Sequence, residues 1–246
     1  MRILAEAVAV RGRAHWATTG GSTPVEIYRR LVAPPLVDEV PWAGTHVWWG
    51  DDRYVPRDHP LSNVKALDDI LLGIGEGEQG TAGGGWPGVP LPFDHVQPFP
   101  TGEAIGGARG AAWCAATLAD RLRAAGLEEA DGWPVFDLML IGVGADGHLL
   151  SVFPGSPAFE SPDLALAIPA PTHIEPHVER MTLNPAVVGA ARELLVVAYG
   201  EDKAAAIGEI LGPARDPRRW PAQLALRPGA TWILDEAAAA AVALPR

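Results

Sequence analysis

Asp146 and His148 stand one residue apart in a glycine turn, Gly142-Val143-Gly144-Ala145-Asp146-Gly147-His148. Imidazole changes charge near neutral pH, so His148 is the best general acid/base in the chain. Asp146 either orients that imidazole or caps a short helix. A second candidate is Gly20-Gly21-Ser22-Thr23, ahead of Pro24 and VEIYRRLV. Thr23 reads as N-cap and Pro24 as first-turn residue. Free backbone N–H groups and two hydroxyls at a helix start suit a phosphate. Asp51 and Arg53 close the apolar run THVWW, as a rim ion pair or with the arginine facing a substrate. Arg180 sits in a short strand and Lys203 opens a helix directly after one. Each reads as a solvated charge, or as part of an anion site if the strand ends share a rim.

Other patterns lead away from chemistry. Residues 142–147 satisfy GxGxxG after a strand, which suggests a dinucleotide turn. That fingerprint needs a long following helix, and Pro154 stops one within two turns, so the turn is read as placing Asp146 and His148. His173, Glu175 and His177 alternate as possible metal ligands, but no fourth ligand is suggested and no thiolate is near, so no metal is expected. No GxSxG elbow follows any strand.

The elements that must carry these residues alternate. Strands are expected at His15–Thr19, Thr45–Trp49, His95–Phe99, Phe136–Ile141, Leu164–Ile168, Arg180–Leu183, Glu193–Tyr199 and Thr231–Leu234. Helices are expected as a tail before the first strand, from Pro24, from Ser62-Asn63 to Leu72, over Ala104–Ala125, from Pro185, over Lys203–Leu211 with Asp202 as cap, and over Asp235–Leu244. Pro221–Leu226 reads as one or two helical turns. Residues 73–92 form a glycine-rich loop, expected to be mobile and given no chemistry. Strands alternating with helices imply a Rossmann-like α/β fold, a mostly parallel sheet covered on both faces, with ligands outside the strands' carboxyl ends. The turns after the first, second and fifth strands and at Gly200 are therefore expected to meet. No repeat or linker divides residues 1–246, so one domain is expected.

Composition sets bounds. The 246 residues are 48% hydrophobic and 20% charged, which marks a globular chain. The formal net charge of −11 opposes non-specific binding to nucleic acid. Cys114 is the single cysteine, so no internal disulfide forms and a reducing, cytoplasmic compartment is expected. No apolar run is long enough for a membrane span, and no signal peptide is evident.

Taken together, these pieces resemble the 6-phosphogluconolactonase family. The matching motifs are TTGGSTP (18–24), WWGDDRYVPRDHPLSN (48–63), FDLMLIGVGADGHLLSVFPG (136–155), RMTLN (180–184), GEDKAAAI (200–207) and PAQLAL followed by TWILDEAAA. They follow the family's order over nearly the whole chain. The resemblance implies the fold shared with ribose-5-phosphate isomerase and glucosamine-6-phosphate deaminase, without a nucleotide. It implies hydrolysis of 6-phospho-D-glucono-1,5-lactone in the oxidative pentose phosphate pathway, with no cofactor and no metal. His148 would be the base, Arg53 or backbone N–H groups would hold the oxyanion, and Asp146 and Asp51 would hold His148 or the sugar hydroxyls. Gly20, Gly21, Ser22 and Thr23 would cradle the phosphate, with Arg180 and Lys203 supplying charge. The partner implied is a phosphorylated sugar lactone, bound by a monomer or small homo-oligomer. Four departures stand out: Asp52 for the usual Glu, Ala145 and Leu149-Leu150 in the histidine turn, and Glu175-Pro176-His177 where the family commonly has Lys-Pro-Pro. The expected lysine is absent there, which leaves His177, or Arg180 with Lys203, to take its place. The family's first helix is expected to be shortened. The alternatives are a sugar-phosphate isomerase or deaminase and a non-enzymatic sugar-phosphate-binding protein.

Overall fold

The computed structural model describes residues 1–74 and 88–243. Eleven strands are present among them: β1 (Ala14–Thr18), β2 (Thr45–Trp49), β3 (Asp51–Arg53), β4 (Val96–Gln97), β5 (Glu129–Ala130), β6 (Trp133–Pro134), β7 (Leu138–Gly142), β8 (Ala165–Ile168), β9 (Arg180–Leu183), β10 (Glu193–Ala198) and β11 (Ala230–Leu234). Six form a parallel sheet in the order β11-β10-β7-β1-β2-β4. β1 is buried at every residue and so lacks in-out alternation, as expected of a central strand covered on both sides. The largest fully buried side chains include Trp48, Trp49, Tyr28 and Phe136. Helices Arg2–Arg11, Thr23–Leu31, Ala111–Ala125 and Ala204–Leu211 surround the sheet. The expected Rossmann-like architecture is the one found.

The order of strands matters for the site. From β1 the chain runs through β2 to β4 on one side, then returns to place β7, β10 and β11 on the other. The neighbours β1 and β7 thus straddle the switch point, where successive connections leave in opposite directions. A crevice opens there at the strands' carboxyl ends. A second, antiparallel sheet, β3-β9-β8, stands beside it and was not anticipated. β3 continues from β2 through Gly50, whose N–H still donates to Thr18 while its carbonyl accepts from Leu183.

Several expected elements differ. The helix expected over Ala104–Ala125 is two, Thr101–Gly106 and Ala111–Ala125. Three glycines at 106, 107 and 110 and a left-handed Ala108 (φ 51°) part them. The strand expected at His95–Phe99 shrinks to two residues behind a 3-10 turn. The N-terminal tail is a ten-residue helix closed by left-handed Gly12. The last helix, expected over Asp235–Leu244, is instead a run of turns over residues 236–241, with Leu244 outside the described residues. Alanines favour helix, but in this run only Ala238 is buried, and a short helix with so little to dock is marginal. Of the 73–92 loop, residues 75–87 lie outside the described set.

The amino ends of the strands are tied by charge and by stacked imidazoles. Buried Asp137 accepts the His15 N–H at 2.8 Å, is paired with Arg11, and lies 3.4 Å from Arg192 Nε. It thereby joins the first helix, β1, and the approaches to β7 and β10. His15 and His46 are paired across β1 and β2, and their rings stack at 5.2 Å. His95 stacks on His46 at 3.8 Å. Trp48 Nε1 donates to His15 Nδ1 at 3.1 Å, so that ring is neutral. Burial first, then the neighbouring His46, pushes the His15 pKa down from 6.5 to about 4. Burial and His95 lower His46 as well.

A lowered histidine pKa means that the unfolded chain binds the proton more readily. Stability is then complete above pH 6.5 and is lost as pH falls toward 4. In denaturant titrations across that window, the His15 contribution to the unfolding free energy will fall by up to about 1.4 kcal/mol per pH unit for one proton, against an opposite contribution from buried Asp52, whose pKa is raised. The difference between parent and His15→Gln isolates the histidine, and parallel pH curves for the two proteins would exclude it.

Candidate active site

Four loops converge at the switch point. They line an open cavity of about 310 Å³ with Gly20–Thr23 after β1, Asp51 and Arg53 on β3, Gly144 and His148 after β7, and Asp202 and Lys203 after β10. Arg180 on β9 and Glu175 complete the charged lining. The turns expected to meet do meet. Of the predicted site residues, Asp146 and His177 do not line the cavity; the His177 ring binds the Pro171 carbonyl at 2.7 Å and Glu175 at 3.1 Å. Asp146 lies behind His148.

The histidine turn is a compact device. Gly147, at φ 81°, turns the chain, and Gly144 N–H donates to the His148 carbonyl at 2.9 Å. No helix follows, so neither a dinucleotide grip nor a helix cap is built here. Asp146 Oδ1 instead accepts from His148 Nδ1 at 2.6 Å and from the His148 N–H at 3.1 Å. A carboxylate only accepts, so Nδ1 carries a proton, and in the neutral ring the lone pair is therefore on Nε2. The ring folds back over Gly144, where an added Cβ would lie 2.0 Å from Nδ1. Phe153 tilts against the imidazole at 4.7 Å. Burial opposes ionisation of Asp146, but the hydrogen bonds and charge of His148, with a further bond from His173, hold its carboxyl well below the ordinary range.

Opposite, the antiparallel pairing of β3 with β9 sets Arg53 directly across from Arg180. Arg180 is 2% exposed, so it is no solvated strand charge. Arg53 donates through Nη1 to the Leu61 carbonyl and Arg180 through Nη2 to that of Pro176, while the buried Nε of each lacks a partner. Burial, then Arg53, lowers the Arg180 pKa. The rim pair Asp51–Arg53 does not form. Asp51 is buried, accepting from Ser151 Oγ at 2.6 Å and Asn63 Nδ2 at 3.2 Å. Its neighbour Asp52 is buried outright and accepts backbone N–H groups of Arg53 and Asn63 at 2.7 and 2.8 Å. Burial pushes the Asp52 carboxyl up to about 7.

The anion-facing loop also fits. The helix begins at Thr23, with Ser22 rather than Thr23 at its N-cap and no side chain bonded to its free N–H groups. Gly20 packs so tightly against Asn63 that a Cβ would fall 1.9 Å from Oδ1. Lys203 borders the cavity with Asp202 2.9 Å away; Asp202 therefore pairs with the lysine instead of capping the helix that starts at Ala204. From the sequence, Asn63 and Ser151 had no role, and His173 was weighed only as a metal ligand. The pattern SN at 62–63 was visible without a role, whereas the Ser151–Asp51 and His173–Asp146 contacts join distant segments and leave no local mark.

The chain matches the family described as glucosamine-6-phosphate isomerases/6-phosphogluconolactonase over residues 1–234. It is 32% identical to a 6-phosphogluconolactonase of Synechocystis over 236 residues, 96% of this chain and 87% of the relative. Its fold superposes on the 6-phosphogluconolactonase of Trypanosoma brucei with a TM-score of 0.79 at 27% identity, covering 98% of this chain and 91% of that one. A monomeric glucosamine-6-phosphate deaminase shares the fold at 17% identity and a TM-score of 0.72, over 98% of this chain and 92% of that one.

The Gly144 contact yields a clear expectation. Gly144→Ala will leave the melting temperature within a few degrees of the parent, since the atoms nearest an added Cβ belong to the side chains of His148 and Asp146 and not to backbone. It will, however, force His148 off Asp146, and the downfield Nδ1–H resonance in the proton spectrum will disappear. Retention of that resonance would mean that the ring does not depend on the glycine.

Proposed function

The chain belongs to the glucosamine-6-phosphate isomerase/6-phosphogluconolactonase family, and on that premise we propose that it hydrolyses 6-phospho-D-glucono-1,5-lactone to 6-phosphogluconate with His148 as general base. The observation that carries this reading is His148 with Nδ1 held by Asp146 and Nε2 uncommitted, beside a cavity with two arginines and a lysine. A lactone needs a base for water, a stabilised oxyanion and a proton for the departing ring oxygen; a phosphate needs fixed cations.

The chemistry follows from those roles. Nε2 of His148 takes a proton from water as its oxygen bonds to the lactone carbonyl carbon. Negative charge develops on the carbonyl oxygen and is stabilised by Arg53 or by backbone N–H groups of the rim. The carbonyl re-forms, the bond to the ring oxygen breaks, and the imidazolium returns its proton to that oxygen. The new carboxylic acid then ionises in water. Asp146 stabilises the transient imidazolium and fixes the tautomer. Asp51 holds sugar hydroxyls. Backbone N–H groups and hydroxyls at Gly21–Thr23, with Gly20 allowing the close approach of Asn63, bind the phosphate, and Arg180 and Lys203 add charge. Glu175, standing where the resemblance implies lysine, lines the same cavity, so the phosphate grip rests on those two cations.

Amino-sugar chemistry is less well served. The residues after His148 bring Phe153 against the imidazole rather than a carboxylate.

In a coupled assay with freshly generated lactone, corrected for spontaneous hydrolysis, His148→Ala will lower kcat about 10²–10⁴-fold with little change in KM. Lys203→Ala will chiefly raise KM. An unchanged rate in His148→Ala would remove the base assignment, and release of ammonia from glucosamine 6-phosphate by the parent protein would favour the deaminase.

A further inference from the structure

His173 bonds to the same carboxylate as His148. Its Nε2 lies 2.8 Å from Asp146 Oδ2, while His148 Nδ1 takes Oδ1 at 2.6 Å. Both rings also touch one buried aromatic: Phe153 is tilted against His148 at 4.7 Å and edge-on to His173 at 5.6 Å. The two imidazoles therefore sit on either oxygen of one carboxylate, with an apolar ring excluding water between them. His173 itself is half exposed and does not line the cavity, so it acts on a bound substrate only indirectly.

We propose that His173 is a positioning residue for His148, and that by sharing Asp146 it sets the pH at which His148 becomes available as a base. The proposal rests on the lactonase reading for its activity readout. Asp146 favours the imidazolium form of His148 by its negative charge. A second N–H donor on the other oxygen draws part of that charge away, and a protonated His173 adds direct repulsion across a few ångströms in a partly dry setting. Both effects favour the neutral, basic form of His148.

Other charges act on the same group. Arg53 and Arg180, from β3 and β9, favour neutral His148, and Asp146 lies within the electrostatic reach of Arg180. Asp51 on β3 and Glu175 on the segment that carries His173 oppose them. Lys203 and Asp202, after β10, offset each other. Of these groups only Glu175 lies on the segment that carries His173; the others are held by separate elements, so the difference between parent and variant reports chiefly on the shared carboxylate. His173 also ties its segment to the histidine turn, and the next two residues, Ile174 and Glu175, border the cavity. A role limited to anchoring would raise KM and leave the pH profile in place.

The test compares His173→Ala with His173→Gln, whose amide retains a neutral donor. The His148 ring signals are followed by NMR from pH 5 to 9, alongside kcat and KM for the lactone. His173→Ala will move the His148 midpoint upward by ~0.5–1 pH unit and carry the acid limb of kcat/KM with it. That is a several-fold loss at any pH on the acid limb, with the plateau above it retained. His173→Gln will restore most of the midpoint. An unmoved midpoint in His173→Ala, or a KM effect alone, overturns the proposal while leaving the lactonase reading intact. A moved midpoint in a protein without lactonase activity would keep the coupling and remove the reading.

Discussion

Everything at the rim depends on β1 and β7 pairing as parallel neighbours. Parallel pairing points both carboxyl ends the same way, so the turns at Gly20 and Gly142 emerge side by side. Because the chain leaves the two strands in opposite directions, nothing fills the gap between them. An added Cβ at Gly142 would come within 3.1 Å of Thr23 Oγ1, which measures how closely strand end and helix start approach. Asp137, at the far end of the same strands, joins β1 to the approaches to β7 and β10 through His15, Arg11 and Arg192.

On that frame, charge is distributed by burial. Asp52 is wholly enclosed and spends its acceptors on backbone N–H groups, which makes it a brace for the Arg53 and Asn63 loops. Asp51, one residue earlier on the opposite face of β3, borders the cavity. Strand alternation gives adjacent aspartates different tasks. The same short ribbon places Arg53 opposite Arg180, and each donates to a backbone carbonyl. Antiparallel pairing thus does for the cations what the glycine turn does for the imidazole.

Much of this was legible in the sequence because its signals are local. Apolar runs closed by glycine marked β1, β2, β7 and β10. Asp146 and His148 in a glycine turn announced a site, and the run of motifs announced the family. The small β3-β9-β8 sheet was hidden, since β3 is three residues long and follows β2 after a single glycine. Placement of Arg180 inside the molecule, and of His173 on Asp146, comes from pairings across distant segments. His177 failed as a cavity residue because its ring turns back to Pro171 and Glu175 on its own segment. The alanine-rich tail misled in the other direction: propensity favours a helix, yet Ala238 is the one alanine of the run that is buried, too little to dock it.

The facing pair Arg53 and Arg180 has a consequence for how a solute arrives. The molecule carries a formal net charge of −11, so an approaching dianion is repelled at long range. At physiological ionic strength, fields from exposed charges fade over about 8 Å, whereas guanidinium groups enclosed at the crevice floor are screened far less. Attraction therefore begins only once the solute is within the mouth of the crevice. Capture becomes a short-range event governed by fit, with the acidic exterior turning away anions that reach the surface elsewhere.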